Sequence, residues 1–563
     1  MAKSADHAGE PPAWAAVADD FPVLPRRQII ITMGGVMLAL FLAALDQTIV
    51  GTAMPRIIAD LGEFGKFTWV TTAYLVTSTA IIPVAGKFSD IYGRKIFFLI
   101  GVTVFLLGSV LAGLSGSMNQ LILSRALQGL GGGVLFANAF IAVGDLFPPA
   151  DRAKYLGFIA AIFGIASLVG PVLGGFITDA LSWHWVFFIN VPIGIPVILL
   201  FIRFFPNAKR EAKKRRLDYF GIALLLVGVS CLILGLSWGG SSFPWSSPQV
   251  IVMFVVAAIC TVAFIFWEQR AADPVMPLGI YKNPIVAVSV LAVFFSGFGM
   301  FAGPVFVPLY FQGVLGESPT STGSILTPMM LGTVVGASLA GQLMSRLRGR
   351  YKYISLIGLA ILGAGLYLSS QMDLETNFGT AILNIILMGF GLGMSLPTYS
   401  LAVQNAVSHA NLGVVTSAVQ FVRSIGGTVG LAVLGSVMAS RFASNVAAEL
   451  GTRSGSSLTP DLITEISGNP RVLVDEEALT SLESTLTQSG ANGMEVSAQI
   501  VHTLREVLSW ALHDVFLVTL GVTIVAIIVT AFLKEIPFRT SNATPAPAAP
   551  GAGESDSPPT GMA

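Results

Sequence analysis

The sequence predicts an all-α membrane protein with fourteen transmembrane helices, on three observations. Of its 563 residues 54% are hydrophobic and only 11% charged, whereas soluble domains are about 25% charged. Fourteen apolar runs are long enough to cross a bilayer, which takes roughly 20 helical residues at about 1.5 Å of rise each. Lysine and arginine then alternate from one side's connections to the other's, as fourteen crossings require.

The runs, in order, are 29–55, 67–87, 96–117, 119–146, 154–178, 184–204, 218–238, 249–268, 284–311, 321–345, 353–370, 378–400, 413–439 and 511–533. Each is read as a helix because helices satisfy every backbone N–H and C=O within the span. Prolines such as Pro83, Pro171, Pro196, Pro304, Pro328 and Pro397, and the 60 glycines, fit membrane helices, where they bend the backbone and permit close approach. The first run, IIITMGGVMLALFLAALDQTIVGTAMP, carries a single acid, Asp46. A carboxylate in hydrocarbon costs several kcal/mol, so such a residue usually faces a cavity and carries function.

One set of connections holds Arg26 and Arg27; Lys87, Arg94 and Lys95; Arg152 and Lys154; Arg203 and the run Lys209–Arg216; Arg270 and Lys282; Arg346, Arg348, Arg350 and Lys352; and Lys534 and Arg539. The opposite short connections hold little beyond Arg56 and Lys66. The basic side is therefore expected in the cytoplasm, with both termini there. The N-terminus shows no signal peptide, so the first span is expected to act as an uncleaved insertion signal. Residues 1–28 read as a disordered leader and 534–563, rich in Pro, Ala, Gly and Ser, as a disordered tail. Residues 440–510 read as a long extracytoplasmic loop, with one or two short surface helices between Asp475 and Trp510. It could cap the outer mouth or be a passive appendage. The run Lys209–Arg216 follows a span directly and reads as a topology signal against anionic lipid, not as a nucleic-acid site. Cys231 and Cys260 lie inside apolar runs and form neither a disulfide framework nor a metal spacing.

Three charges lie deep. Asp46 is about eight residues, roughly 12 Å, from the outer end of its run, and Arg125 lies roughly 9 Å in from the same side. At matching depth the two can pair, and pairing holds the acid ionised. Two readings stand for Asp46: a switch that exchanges Arg125 for a proton, or a structural residue bonding a helix end near Pro55. Arg423 lies roughly 15 Å along its run. It either meets a polar or anionic substrate group or binds backbone carbonyls. With Asp46 the single deep acid, the expected substrates are lipophilic monocations and neutral or weakly anionic amphiphiles, not dications.

Between the second and third runs stands Gly86-Lys-Phe-Ser-Asp-Ile-Tyr-Gly-Arg-Lys95. Gly86 allows close approach, Gly93 allows the turn, and Asp90 can cap a helix or pair with Arg94. The stretch resembles the signature loop of the major facilitator superfamily at Gly86, Asp90, Gly93, Arg94 and Lys95. Leu45–Pro55 resembles the first-helix motif of its fourteen-helix drug:proton antiporters, although Gly51 stands where Asn is common. Leu121–Gly131, with Arg125, Gln128 and Gly129, resembles the fourth-helix motif whose arginine takes part in proton coupling. Gly164, Gly170, Pro171, Gly174 and Gly175 match the fifth-helix antiporter motif, and Trp183–Gly194 resembles a block typical of the fourteen-helix branch. The second-half copy of the signature loop, Gly341–Lys352, lacks its acid.

The resemblance implies two six-helix halves, 29–204 and 283–533, with 205–282 supplying a basic loop and two inserted helices. It implies proton-coupled antiport of amphipathic small molecules, with Asp46 and Arg125 coupling protons and the signature loop gating. The runner-up is a dedicated exporter of one endogenous metabolite, siderophore or lipid. Gln128, Asn138, Phe298, Phe301, Gln312, Asn405 and Arg423 are candidate cavity residues, although the aromatic side chains of the ninth run can equally pack against lipid. No nucleophile–base pair, metal cluster or phosphate loop lies in the runs, so neither an enzyme, a cofactor nor ATP-driven pumping is expected. Partners are expected to be substrate, protons and lipid, with the protein a monomer.

Overall fold

The computed structural model describes residues 25–62, 66–206, 217–240, 242–317, 319–347, 350–408, 411–453 and 493–536, together with Leu473, Thr480 and Ser484. The expected leader up to residue 24, the run Lys209–Arg216 and the tail beyond 536 lie outside the described residues.

Among the described residues fifteen α-helices follow one another. The first seven are α1 (Arg26–Leu61), α2 (Phe67–Tyr92), α3 (Arg94–Gly113), α4 (Met118–Leu146), α5 (Pro149–Ala180), α6 (Trp185–Phe188) and α7 (Asn190–Phe204). Then come α8 (Tyr219–Trp238) and α9 (Pro248–Glu268). The remainder are α10 (Pro284–Leu309), α11 (Pro319–Arg346), α12 (Tyr351–Ser370), α13 (Phe378–Ala406), α14 (Leu412–Arg453) and α15 (Gly493–Ala531). A π turn, Tyr310–Val314, ends α10. Among the described residues fourteen helical segments are long and apolar enough to span a membrane, α6 and α7 together making one. The strand pairing there is limited to the isolated bridge Gly239–Phe243.

Local chemistry sets several helix ends. Ser117 caps α4 through the Gln120 N–H, Asn377 caps α13 through the Gly379 N–H at 2.8 Å, and Asp218 caps α8 through the Gly221 N–H at 2.8 Å. Gly93 turns the chain from α2 into α3 at φ 96°, a conformation that costs glycine little.

Two boundaries differ from the hydropathy reading. The first helix does not stop at Pro55 but runs to Leu61, so Asp46 lies near its middle. Residues 440–510 are not loop throughout: α14 continues to Arg453 and α15 begins at Gly493. The overhangs hold because Phe442, Val446 and Leu450 pack against Ile500, Leu504 and Leu508. The stretch in which one or two short surface helices were expected is described only at isolated positions and from Gly493 on, where it belongs to the long α15.

Helices α1–α7 form one bundle and α10–α15 another, meeting along a seam of α5 against α11 and α2 against α14. The α8–α9 pair packs against α2. Close helix approach rests on residues without side chains: a Cβ on Gly131 would come 2.4 Å from the Phe105 nitrogen, and one on Gly391 2.2 Å from that of Leu362. At the end carrying Arg26, Arg94, Arg152 and Lys534, here the basic end, one apolar core crosses the seam, joining Phe147 and Ala153 to Met344, Leu401 and Ala406. Toward the far end the bundles have separate cores.

Candidate functional site

Asp46 on α1 is 1% exposed. Its Oδ2 accepts from Arg125 Nη1 at 2.5 Å. Its Oδ1 accepts from Gln128 Nε2 at 2.8 Å and Asn190 Nδ2 at 2.9 Å. Two helices supply the three donors: Arg125 and Gln128 share one face of α4 at i and i+3, and Asn190 opens α7. Arg125 Nη1 also bonds Gln128 Oε1 at 2.7 Å, and the guanidinium lies 4.4 Å from the centre of the Tyr74 ring. Asn190 Nδ2 also reaches Ser109 Oγ at 2.8 Å. Every group on the carboxylate is a donor, so it is satisfied as an anion. A proton on either oxygen would meet one of these donors. The neighbouring Gln47 is exposed and meets the Tyr74 hydroxyl at 3.4 Å, so accessible surface comes within one residue of the acid.

The signature loop forms a second cluster at the basic end. Arg94 bonds Asp90, and its Nε donates to Asp145 Oδ2 at 2.6 Å. Asp90 Oδ2 crosses the seam and accepts the Val414 N–H at the start of α14 at 3.0 Å. Gly86 is the matching contact, since a Cβ there would lie 2.1 Å from Ser417 Oγ. Arg152 reaches the Gln404 carbonyl at 3.3 Å, and Gln404 reaches the Phe140 carbonyl at 3.2 Å. Lys95 points elsewhere and donates to the Ile202 carbonyl at the end of α7 at 2.7 Å.

The fifth-helix glycines split by neighbour. A Cβ on Gly164 would meet Val334 of α11 at 2.7 Å, across the seam. Gly170 and Gly174 seat α5 on Thr48 and Thr52 of α1, each 2.0 Å from where a Cβ would stand. Thr48 in turn donates to the Ala166 carbonyl at 3.0 Å, two residues along α1 from the acid. Pro171 lies inside α5. A Cβ on Gly175 would meet nothing within 4 Å.

The expected cavity residues are not gathered round one space. Gln128 belongs to the Asp46 cluster. Asn138 bonds the Val134 carbonyl of its own helix at 2.9 Å. Phe298 and Phe301 lie over Gly430 and Gly427 at the α10–α14 packing. Gln312 lies in the π turn, and Asn405 donates to the Ile536 carbonyl at 3.2 Å at the opposite end. Arg423 is buried on α14, bonded to Gln420 Oε1 at 2.8 Å and the Leu396 carbonyl at 3.0 Å, with the Phe140 ring 6.0 Å away. The carbonyl contact is one of its two expected roles. The sequence reading assigned no role to Asn190, Ser109 or Tyr74. Asn190 could have been found as an uncharged amide inside a span.

The Major Facilitator Superfamily profile matches residues 36–431. The multidrug transporter protein MdtP of Bacillus subtilis is 38% identical over 529 residues, 92% of this chain and 94% of that protein. Multidrug resistance protein 3 of the same organism is 35% identical over 507 residues, 90% and 95% of the two chains. In fold, the chain is similar to the human organic anion transporter MFSD10, with a TM-score of 0.56 at 14% identity over 89% of this chain and 100% of that one. The fourteen spanning helices, the motif matches placed on them and these relatives lead to one conclusion: the chain is a multi-pass membrane protein that belongs to the major facilitator superfamily of transporters.

Proposed function

We propose that the protein exports lipophilic small molecules in exchange for protons by alternating access, from a cytoplasmic membrane with its basic end in the cytoplasm. The observation that carries this reading is the Asp46 carboxylate, buried among three donors and opposed by Arg125. A proton arriving from the outer side displaces the guanidinium, loosens α1 from α4, and lets the seam open at the basic end. There the proton leaves and substrate enters. The core shared across the seam at the basic end supports an outward-facing state as the one seen. The names of the Bacillus relatives, a multidrug transporter and a multidrug resistance protein, support efflux of several compounds and resistance to toxic ones.

The test is export by reconstituted protein under an imposed pH gradient, wild type against Asp46→Asn. Gradient-driven export is expected to vanish, while equilibrium substrate binding persists. Export by Asp46→Asn at the wild-type rate sinks the proposal.

A further inference from the structure

The connector between α9 and α10 meets the signature loop from outside the bundle. Lys87, one residue after Gly86, is 6% exposed and forms an ion pair with Asp273 of that connector. Glu268, the last residue of α9, is 3% exposed and folds the connector by accepting the N–H of Val275 at 3.0 Å and of Met276 at 3.4 Å. Val275 and Met276 are buried in a cluster with Val84 of α2, Leu225 and Val229 of α8, and Ala418 of α14. That cluster therefore reaches across the seam. The connector then runs directly into α10, the first helix of the C-terminal bundle.

From this juxtaposition we infer that the inserted pair and its connector act as a strap over the basic end of the seam, with Lys87 and Asp273 as its clasp. The inference rests on the seam opening during transport, and it adds positioning residues to that step. The last turns of α2 hold two attachments: Gly86 and Asp90 face α14, and Lys87 faces the connector. The first set joins the bundles directly. The clasp joins them through the connector, because a connector fixed to α2 holds back the helix it leads into. Opening must then break the Lys87–Asp273 pair, whose lysine is buried, as well as the Asp90–Val414 bond. Lys87 is also within electrostatic reach of Glu268, as is Asp218. One oxygen each of Asp218, Glu268 and Asp273 is buried without a hydrogen-bond partner. Losing the ammonium thus leaves the carboxylates unbalanced, whereas losing Asp273 relieves them.

The test uses the full-length protein in lipid nanodiscs, with Cys231 and Cys260 replaced by serine and a reporter cysteine at Leu412, which is 1% exposed at the seam. The rate of maleimide labelling reads the opening of the basic end. Lys87→Met is expected to raise that rate about tenfold. Asp273→Asn, which removes a charge from the cluster and so spares the fold, is expected to raise it by a comparable factor. The double variant is expected to label no faster than the faster single one. Unchanged rates in both single variants, or a double variant whose effect is the product of the two, overturns the clasp. A wild-type protein that never labels at Leu412Cys overturns the opening step and the clasp with it. Labelling that responds while Asp46→Asn still exports supports the strap and removes only the proton coupling.

Discussion

Breaking the Asp46–Arg125 pair from either side should give unequal losses of stability, and breaking both should give less than their sum. In Asp46→Asn, the amide oxygen still accepts from Gln128 and Asn190, and Arg125 keeps Gln128 Oε1 and the Tyr74 ring. That variant belongs at the low end of the roughly 3–5 kcal/mol that losing one partner of a buried pair costs. In Arg125→Gln the carboxylate keeps two neutral donors and no counter-charge, which places it at the high end of the same range. The double variant has no buried charge here, and its neutral network should return to within about 1–2 kcal/mol of wild type. The assay is thermal unfolding in one detergent at one scan rate, followed by size-exclusion recovery, with the four proteins ranked. The expected order is wild type, double, Asp46→Asn, Arg125→Gln. A double variant less stable than both single ones would refute the reasoning, because the two charges would then contribute independently.

Gly86→Ala places a methyl 3.0 Å from the Gly413 carbonyl as well as against Ser417. It should cost about 1–3 kcal/mol in the closed seam alone, slowing export and raising labelling at the basic end. Gly170→Ala should impair export and lower the unfolding temperature, because its Cβ would meet Thr48 at 2.0 Å, whereas Gly175→Ala should behave as wild type in both assays. Asn190→Leu removes one of the donors to Asp46 at a cost of about 1–2 kcal/mol. It should reduce gradient-driven export while leaving substrate binding intact, as measured in proteoliposomes and by equilibrium titration. A matched series of monovalent and bis-quaternary dyes should show export of the monovalent members only, and equal rates would refute the cavity chemistry inferred from a single deep acid.

Charge made part of the site legible. In spans this apolar, Asp46 and Arg125 stand out, and counting residues from the span ends sets them at one depth, although α1 proved longer than its apolar run. Asn190 lay inside a quoted motif yet carried no charge to mark it, and its partner Asp46 lies 144 residues away. Lys87 and Asp273 are 186 residues apart, and each reads as an ordinary loop charge. The overhangs of α14 and α15 were missed for a different reason. Hydropathy marks where lipid ends, whereas these helices continue on the apolar contacts they make with each other. Of the cavity candidates picked for polarity within spans, Asn138 satisfies its own helix, and Asn405 and Arg423 bond neighbouring carbonyls.

The overhang has a use. At about 1.5 Å per residue α14 is roughly 63 Å long, against a hydrocarbon core of about 30 Å, and Arg441 ties it to Asp514 of α15 at 2.9 Å. The pair projects as a stiff lever fixed to the C-terminal bundle, so a slight tilt of that bundle becomes a large sweep at the tip. A fluorophore near Arg453 would follow the transport cycle with built-in amplification, and an antibody fragment gripping both helices would give electron microscopy a fiducial on the C-terminal bundle.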